Sequence, residues 1–196
     1  GSINHIIIFG GSRCCAELSL YLNENVDYQL DVFTSERQLK EKIYPSGKTL
    51  RDYFSENSIP FTSTKDINEE PQLKSLITEN SLGLGIGEAW AFAKNIIDQF
   101  DGRLLDLMGI RLPQYRGGAH YTWQILRKNK IGCCNLQVIN EDMIQGVFDS
   151  GEIVKTREYF FPAGARTPDD YFVTAVEQEI DFIKDFLDEI KNGQIF

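Results

Sequence analysis

Basic clusters, long apolar runs and metal-type cysteine spacing are all missing from this chain, and each absence removes a class of function. No run gathers lysine and arginine, and the 196 residues carry a formal net charge of −9. Nucleic acid is therefore not an expected partner, because phosphate contacts need clustered cations. No apolar stretch approaches the roughly 18 to 20 residues that cross a bilayer, so no membrane partner is expected either. The four cysteines stand as two adjacent pairs, Cys14-Cys15 and Cys133-Cys134. Neighbouring cysteines chelate metal poorly and strain a disulfide, and neither pair has CxxC spacing. They read as buried thiols of a soluble protein in a reducing cytoplasm. No internal repeat, low-complexity stretch or linker divides the chain, and no signature of oligomeric state stands out. Gly1-Ser2 reads as a cloning scar, which leaves residues 3–196 as one domain. A chain of this length buries roughly 70% of its unfolded surface, enough for a proper core.

What is present is an alternation of strand and helix patterns. Asn4–Phe9 is short and rich in isoleucine, as a strand covered on both faces should be. Gly10-Gly11-Ser12 then opens a helix with Ala16, Leu18 and Leu22 on its apolar side. That turn reads either as an anion cradle of backbone N–H groups or as a tight βα junction. Further strands are predicted over Tyr28–Thr34, from Ile59-Pro60-Phe61, and over Leu82–Ile86, Arg103–Leu107, Gly132–Ile139 and Glu152–Phe160. Helices are predicted over Thr49–Asn57, Leu73–Ile77, Glu88–Phe100 and Tyr121–Lys128. Near the C-terminus Thr167 can cap, Pro168 suits the first turn, and Asp169 and Asp170 suit the positive helix end. Phe172, Val176, Ile180, Ile183, Leu187 and Ile190 then step by three or four, and Gly193 is a natural stop. The pattern predicts a three-layer α/β fold, its sheet mostly parallel, closed by a long C-terminal helix.

The richest segment is Leu104–Gly118, LLDLMGIRLPQYRGG. It resembles the active-site loop of the folate-dependent formyltransferases, in which a strand ends in Asn-x-His and a Leu-Pro-x-Tyr-Arg-Gly follows. Here Leu112–Gly117 stands intact, while Asp106 occupies the Asn position and Met108 the His position. Three further stretches resemble the same family in the expected order. They are Ile6–Gly11, Leu50–Phe61 with Ser58-Ile59-Pro60, and Ile86–Phe100 followed by Asp101-Gly102. Phe148-Asp149-Ser150-Gly151 is similar to the family's Leu-Asp-Thr-Gly. The likeness is to the N-terminal catalytic domain, closest in type to the methionyl-tRNA and nucleotide-sugar N-formyltransferases. It implies a Rossmann-like fold and 10-formyltetrahydrofolate as cofactor, its formyl group passing to a small-molecule amine.

In that reaction the Asn and His stabilise an oxyanion and move protons, and an Asp holds the His. By resemblance Asp149 is that Asp, and Trp90-Ala91-Phe92 lie where the pterin is received. Trp90 and Phe92 read equally as helix-to-sheet packing. The residues Asn140–Val147 are longer than the family's connection before the Asp. The two substitutions have direct chemical meaning. A thioether at 108 neither takes nor gives a proton, and positioned proton transfer contributes about 10²–10⁴-fold. An ionised carboxylate at 106 repels a developing oxyanion instead of donating to it.

Three readings follow. Catalysis is lost and a binding or scaffold role remains, or it is altered, with Asp106 and Asp149 sharing a proton and His120 as base. The third, a metal-assisted hydrolase built on Asp106, Asp149 and His120, has no chelating spacing behind it. His120 also reads as a surface or capping residue. Among acceptors, the acidic charge disfavours tRNA. The stretch Arg116–Trp123 lies where sugar-modifying members build their acceptor side, which favours a nucleotide-linked amino sugar.

Overall fold

The computed structural model describes residues 2–87, 90–109, 131–140 and 151–193. Within them the predicted alternation is realised. The strands are β1 (His5–Gly10), β2 (Gln29–Thr34), β3 (Thr62–Ser63), β4 (Ser81–Ile86), β5 (Leu104–Met108), β6 (Ile131–Val138) and β7 (Ile153–Phe160). The helices are α1 (Arg13–Glu24), α2 (Glu36–Leu39), α3 (Leu50–Glu56), α4 (Leu73–Leu76), α5 (Lys94–Phe100) and α6 (Pro168–Lys191). A 3-10 turn spans Ile67–Glu69. The strands form one sheet in the order β3-β2-β1-β4-β5-β6-β7. β1 to β5 pair in parallel, and β6 and β7 extend that sheet as an antiparallel edge. The predicted helix over Tyr121–Lys128 lies outside the described residues.

The central strand shows why the sequence folds this way. All six residues of β1 are buried, as parallel strands covered on both faces must be. Ile6 and Ile8 pack on one face with residues of α1, α3 and α6, while Ile7 and Phe9 pack on the other with residues of α4 and α5. This period of two is the strand's own, and it makes the molecule three layers deep. β4 thins one layer on purpose. A Cβ on Gly83 would stand 2.9 Å from Phe100 Cζ and 2.6 Å from Leu104 Cδ1. The missing side chain therefore lets Phe100 lie directly on the sheet.

Two predicted elements differ. α5 begins at Lys94 rather than Glu88, because the preceding segment is held extended. The Asn68 side chain donates to Ala91 O at 2.9 Å and accepts the Ala93 N–H at 2.8 Å. α6 has the predicted cap, a reciprocal box between Thr167 and Asp170, but its buried face is broader than one stripe. Tyr171, Ala175, Phe182 and Phe186 are buried beside the predicted residues, and Phe172 and Ile180 are only partly covered. The helix lies against both α1 and the β6–β7 edge, and two neighbours need a wider apolar face than one.

Candidate functional site

The strand order reverses between β1 and β4, since the chain leaves β1 toward β2 and β3 and then crosses to β4 and β5. In open α/β sheets such a reversal leaves a crevice beyond the carboxyl ends of the strands. The Gly10-Gly11-Ser12 turn sits there. Gly11 N–H donates to Ile86 O at 3.2 Å, and Ser12 Oγ accepts the Cys15 N–H at 3.1 Å to cap α1. The turn is thus a tight βα junction tied to the end of β4. Gln38 Nε2 closes it from the side with a 2.6 Å bond to Gly87 O.

Gly87 is the critical residue of this junction. Its φ is +68°, and a Cβ there would lie 2.7 Å from Gly11 O. Gly87→Ala is expected to destabilise the protein by about 2–4 kcal/mol, the left-handed backbone and the overpacking each contributing. Urea unfolding would measure this as a lower midpoint at unchanged slope. A loss below about 1 kcal/mol would mean that the Gly11 carbonyl yields freely.

Beyond β2 and β3 lies an open pocket of about 410 Å³, lined among the described residues by Ser35, Glu36, Arg37, Ser63, Thr64, Lys65 and Trp90. Its walls are ordered. Trp90 Nε1 donates to Lys65 O at 3.2 Å, and Glu36 accepts from Arg51 at 2.7 Å and from Ser63 at 3.0 Å. Those bonds, led by the one from Arg51, hold the Glu36 carboxyl below its ordinary range. Lys65 forms no ion pair with a described residue. Of the three residues expected on the pterin side, Trp90 borders this pocket, Ala91 is exposed, and Phe92 is buried edge-on against Phe9 at 5.0 Å.

Asp106 and Met108 stand on β5, two residues apart and so on the same face of the sheet, Asp106 buried and Met108 partly covered. In register across β6, Asp106 faces Gln137 and Met108 faces Asn135. Directly opposed residues of an antiparallel pair share a face, with Cβ atoms about 4.5–5.5 Å apart. Asn135 Oδ1 in turn accepts from Thr156 Oγ1 on β7. The Gln137 amide is fully buried with neither its N nor its O hydrogen-bonded. Asp149, His120 and the Leu112–Gly117 motif lie outside the described residues. Among the described residues no His, Cys, Asp and Glu cluster is arranged to hold a metal ion, and no helix is long and apolar enough to cross a membrane.

All four cysteines are buried thiols outside any disulfide. Burial pushes the thiols of Cys15 and Cys134 up to about 12. A second, smaller cavity of about 160 Å³ lies on the other side of the β1–β4 reversal, lined by Ser12, Cys14, Ile86, Gly87, Leu107, Phe172, Val176 and Glu179. Sequence reading passed over Glu179, yet its signal was legible. It sits between Val176 and Ile183 at helical spacing, an acid inside an apolar stripe. Gln137 and Lys65 carried no comparable signal, because only strand register and loop path bring them to the edge.

This architecture is that of the formyltransferases. The sugar 3N-formyltransferase WlaRD, solved in the presence of dTDP and 5-N-formyl-THF, matches with TM-score 0.69 at 17% identity, over 100% of this chain and 66% of that one. A formyltetrahydrofolate deformylase from Pseudomonas putida matches with TM-score 0.71 at 14% identity, over 100% and 68%. Phosphoribosylglycinamide formyltransferase from Streptococcus pneumoniae matches with TM-score 0.67 at 12% identity, over 96% and 99%. The chain thus spans just under two thirds of the sugar-modifying protein's length. No family model matches the sequence, and no curated protein does. At these identities the likeness establishes the formyltransferase fold, and three different reactions share it.

Proposed function

We propose that the chain binds a formyl-bearing reduced folate at the carboxyl edge of its sheet, and that its own transfer of formyl to an amine is degraded. One observation carries the reading. The two β5 positions that face the crevice hold a carboxylate and a thioether, and their register partners on β6 are amides. None of these four side chains is a neutral-pH base of the kind the inherited reaction uses. The pocket beside Trp90 supports the folate half. Its volume of about 410 Å³ falls within the usual range for small-molecule sites. An indole edge, hydroxyls from Ser35, Ser63 and Thr64, and the Lys65 ammonium suit a flat heterocycle with an anionic tail. When bound, 10-formyltetrahydrofolate would supply the one-carbon unit. The sugar 3N-formyltransferase likeness favours a nucleotide-linked amino sugar as the amine class, in the cytoplasm.

A second reading keeps the reaction alive, and the buried Gln137 amide favours it. An amide donor still stands opposite Asp106, so oxyanion stabilisation persists while Asp106 and Asp149 share a proton or His120 acts as base. Calorimetric titration with 5-formyltetrahydrofolate tests the binding half, for which micromolar affinity is expected. No binding at millimolar ligand would refute it and leave a scaffold domain. Robust formyl transfer by the unmodified protein would refute the degraded step and support the second reading.

A further inference from the structure

The segment that carries the indole of the larger pocket is held against its own preference. Trp90–Ala93 leads into α5 through Ala91 and Ala93, and alanine is the best helix former. Yet Ala93 is extended, and α5 starts only at Lys94, from an N-cap that makes no side-chain bond. Alanine is among the poorest residues at that position. The restraint comes from the turn after β3. Asn68 donates to Ala91 O at 2.9 Å and accepts the Ala93 N–H at 2.8 Å. In a longer helix Ala91 O would instead accept the Asn95 N–H.

Asn68 is itself well anchored. Ile67 beside it is buried in the cluster that holds Phe9 and Phe92. The Asp66 carboxylate accepts the Asn68 N–H at 3.0 Å, and the Thr64 N–H donates to Thr34 O at 2.9 Å, tying the turn to the end of β2. Together with the bond from the Trp90 indole to Lys65 O, the two Asn68 bonds join residues 65–68 to residues 90–93. Trp90 and Lys65 both line the pocket, and Asn68 is not among the described residues that do.

We propose that Asn68 is a positioning residue for this pocket, fixing Trp90 as its wall by denying α5 an earlier start. The role rests on the folate reading above, in which the indole edge meets the flat heterocycle. Without the amide, Ala91–Ala93 join α5, and a turn of about 100° per residue carries the indole away from Lys65 O. Phe92, edge-on to Phe9 at 5.0 Å, keeps the segment on the core while this happens. A net hydrogen bond is worth about fivefold in such an equilibrium. Affinity then falls with the fraction of molecules still in the competent form, about tenfold for Asn68→Ala. Asn68→Asp keeps an acceptor for the Ala93 N–H and loses the donor to Ala91 O, so its loss is about fivefold.

NMR of the full chain reads the clamp and the binding separately. In Asn68→Ala the Ala93 amide should exchange with solvent about tenfold faster or more, while the β1 amides stay unchanged. The Trp90 indole N–H resonance, identified by its loss in Trp90→Phe, should shift. Titration with 5-formyltetrahydrofolate should show the weaker affinity, with Asn68→Asp between Asn68→Ala and the parent. An Ala93 amide as slow in both variants as in the parent would overturn the clamp. Faster exchange with unchanged affinity would overturn the role in binding. A parent that binds no 5-formyltetrahydrofolate would sink the folate reading and the positioning role with it, while faster exchange would still establish the clamp. Should Asn68→Ala fail to fold, Asn68→Asp decides by the same measurements.

Discussion

The double variant Asp106→Asn with Met108→His is expected to release tetrahydrofolate from 10-formyltetrahydrofolate about 10²–10⁴-fold faster than the parent. The histidine accounts for most of that gain, because it returns a group that titrates near neutrality to a position now filled by a thioether. The asparagine removes the carboxylate that opposes oxyanion formation and restores a neutral donor, the smaller part of the gain. Asp106→Asn alone should gain little, since no base accompanies it. Met108→His alone should gain an intermediate amount, set against the remaining negative charge. Asp149→Ala on the double variant should cancel most of the gain if Asp149 orients the new imidazole. Rates with a panel of nucleotide-linked amino sugars would measure each step. A double variant that binds 5-formyltetrahydrofolate and is no faster than the parent would remove the degraded-transfer reading.

Glu179→Gln is expected to stabilise the protein in alkaline solution and to do nothing in acid. The sign follows from the proton. In the fold the carboxyl is raised from 4.5 to about 7 by burial, so the folded state holds its proton more tightly than the unfolded chain. The associated stability is fully present below about pH 4.5 and is lost as pH rises through 7. A shift of this size corresponds to about 3 kcal/mol, at about 1.4 kcal/mol per pH unit. Glutamine imitates the protonated acid and keeps that contribution at every pH. The midpoint of thermal unfolding at pH 8 should therefore rise by about 6–12 °C over the parent. At pH 4 the two should coincide. A difference independent of pH would show that Glu179 is not the titrating group.

The fold was legible because its strongest signals are local. The isoleucine run of β1, the Thr167-Pro168 start of α6 and its apolar spacing each specify an element without help from the rest of the chain. Boundaries failed where tertiary bonds override propensity. Glu88–Phe100 has helical composition, yet Asn68 holds Ala91 and Ala93 extended, and no local pattern announces an asparagine more than twenty residues upstream. The site was half legible. Position along β5 placed Asp106 and Met108 at the crevice, and strand periodicity put them on one face. Their β6 partners required a register that sequence does not print. Glu179 was visible as an interruption, but a single acid in an apolar stripe reads as tolerance until a cavity is found beside it.

α6 starts at the edge that carries both pockets, where Phe172, Val176 and Glu179 line the smaller one. It then runs the length of the sheet. Lys191, in its last turn, pairs with Asp27 at 2.6 Å just before β2 begins. The other end of the domain, Ile3 and His5, leads into β1 from that same side. Ile3 and Lys191 thus both stand at the edge opposite the pockets. An affinity handle, fluorophore or surface linkage attached beside Ile3 or Lys191 would keep its bulk away from the crevice, so an immobilised form of this protein presents the edge with both pockets to the solution.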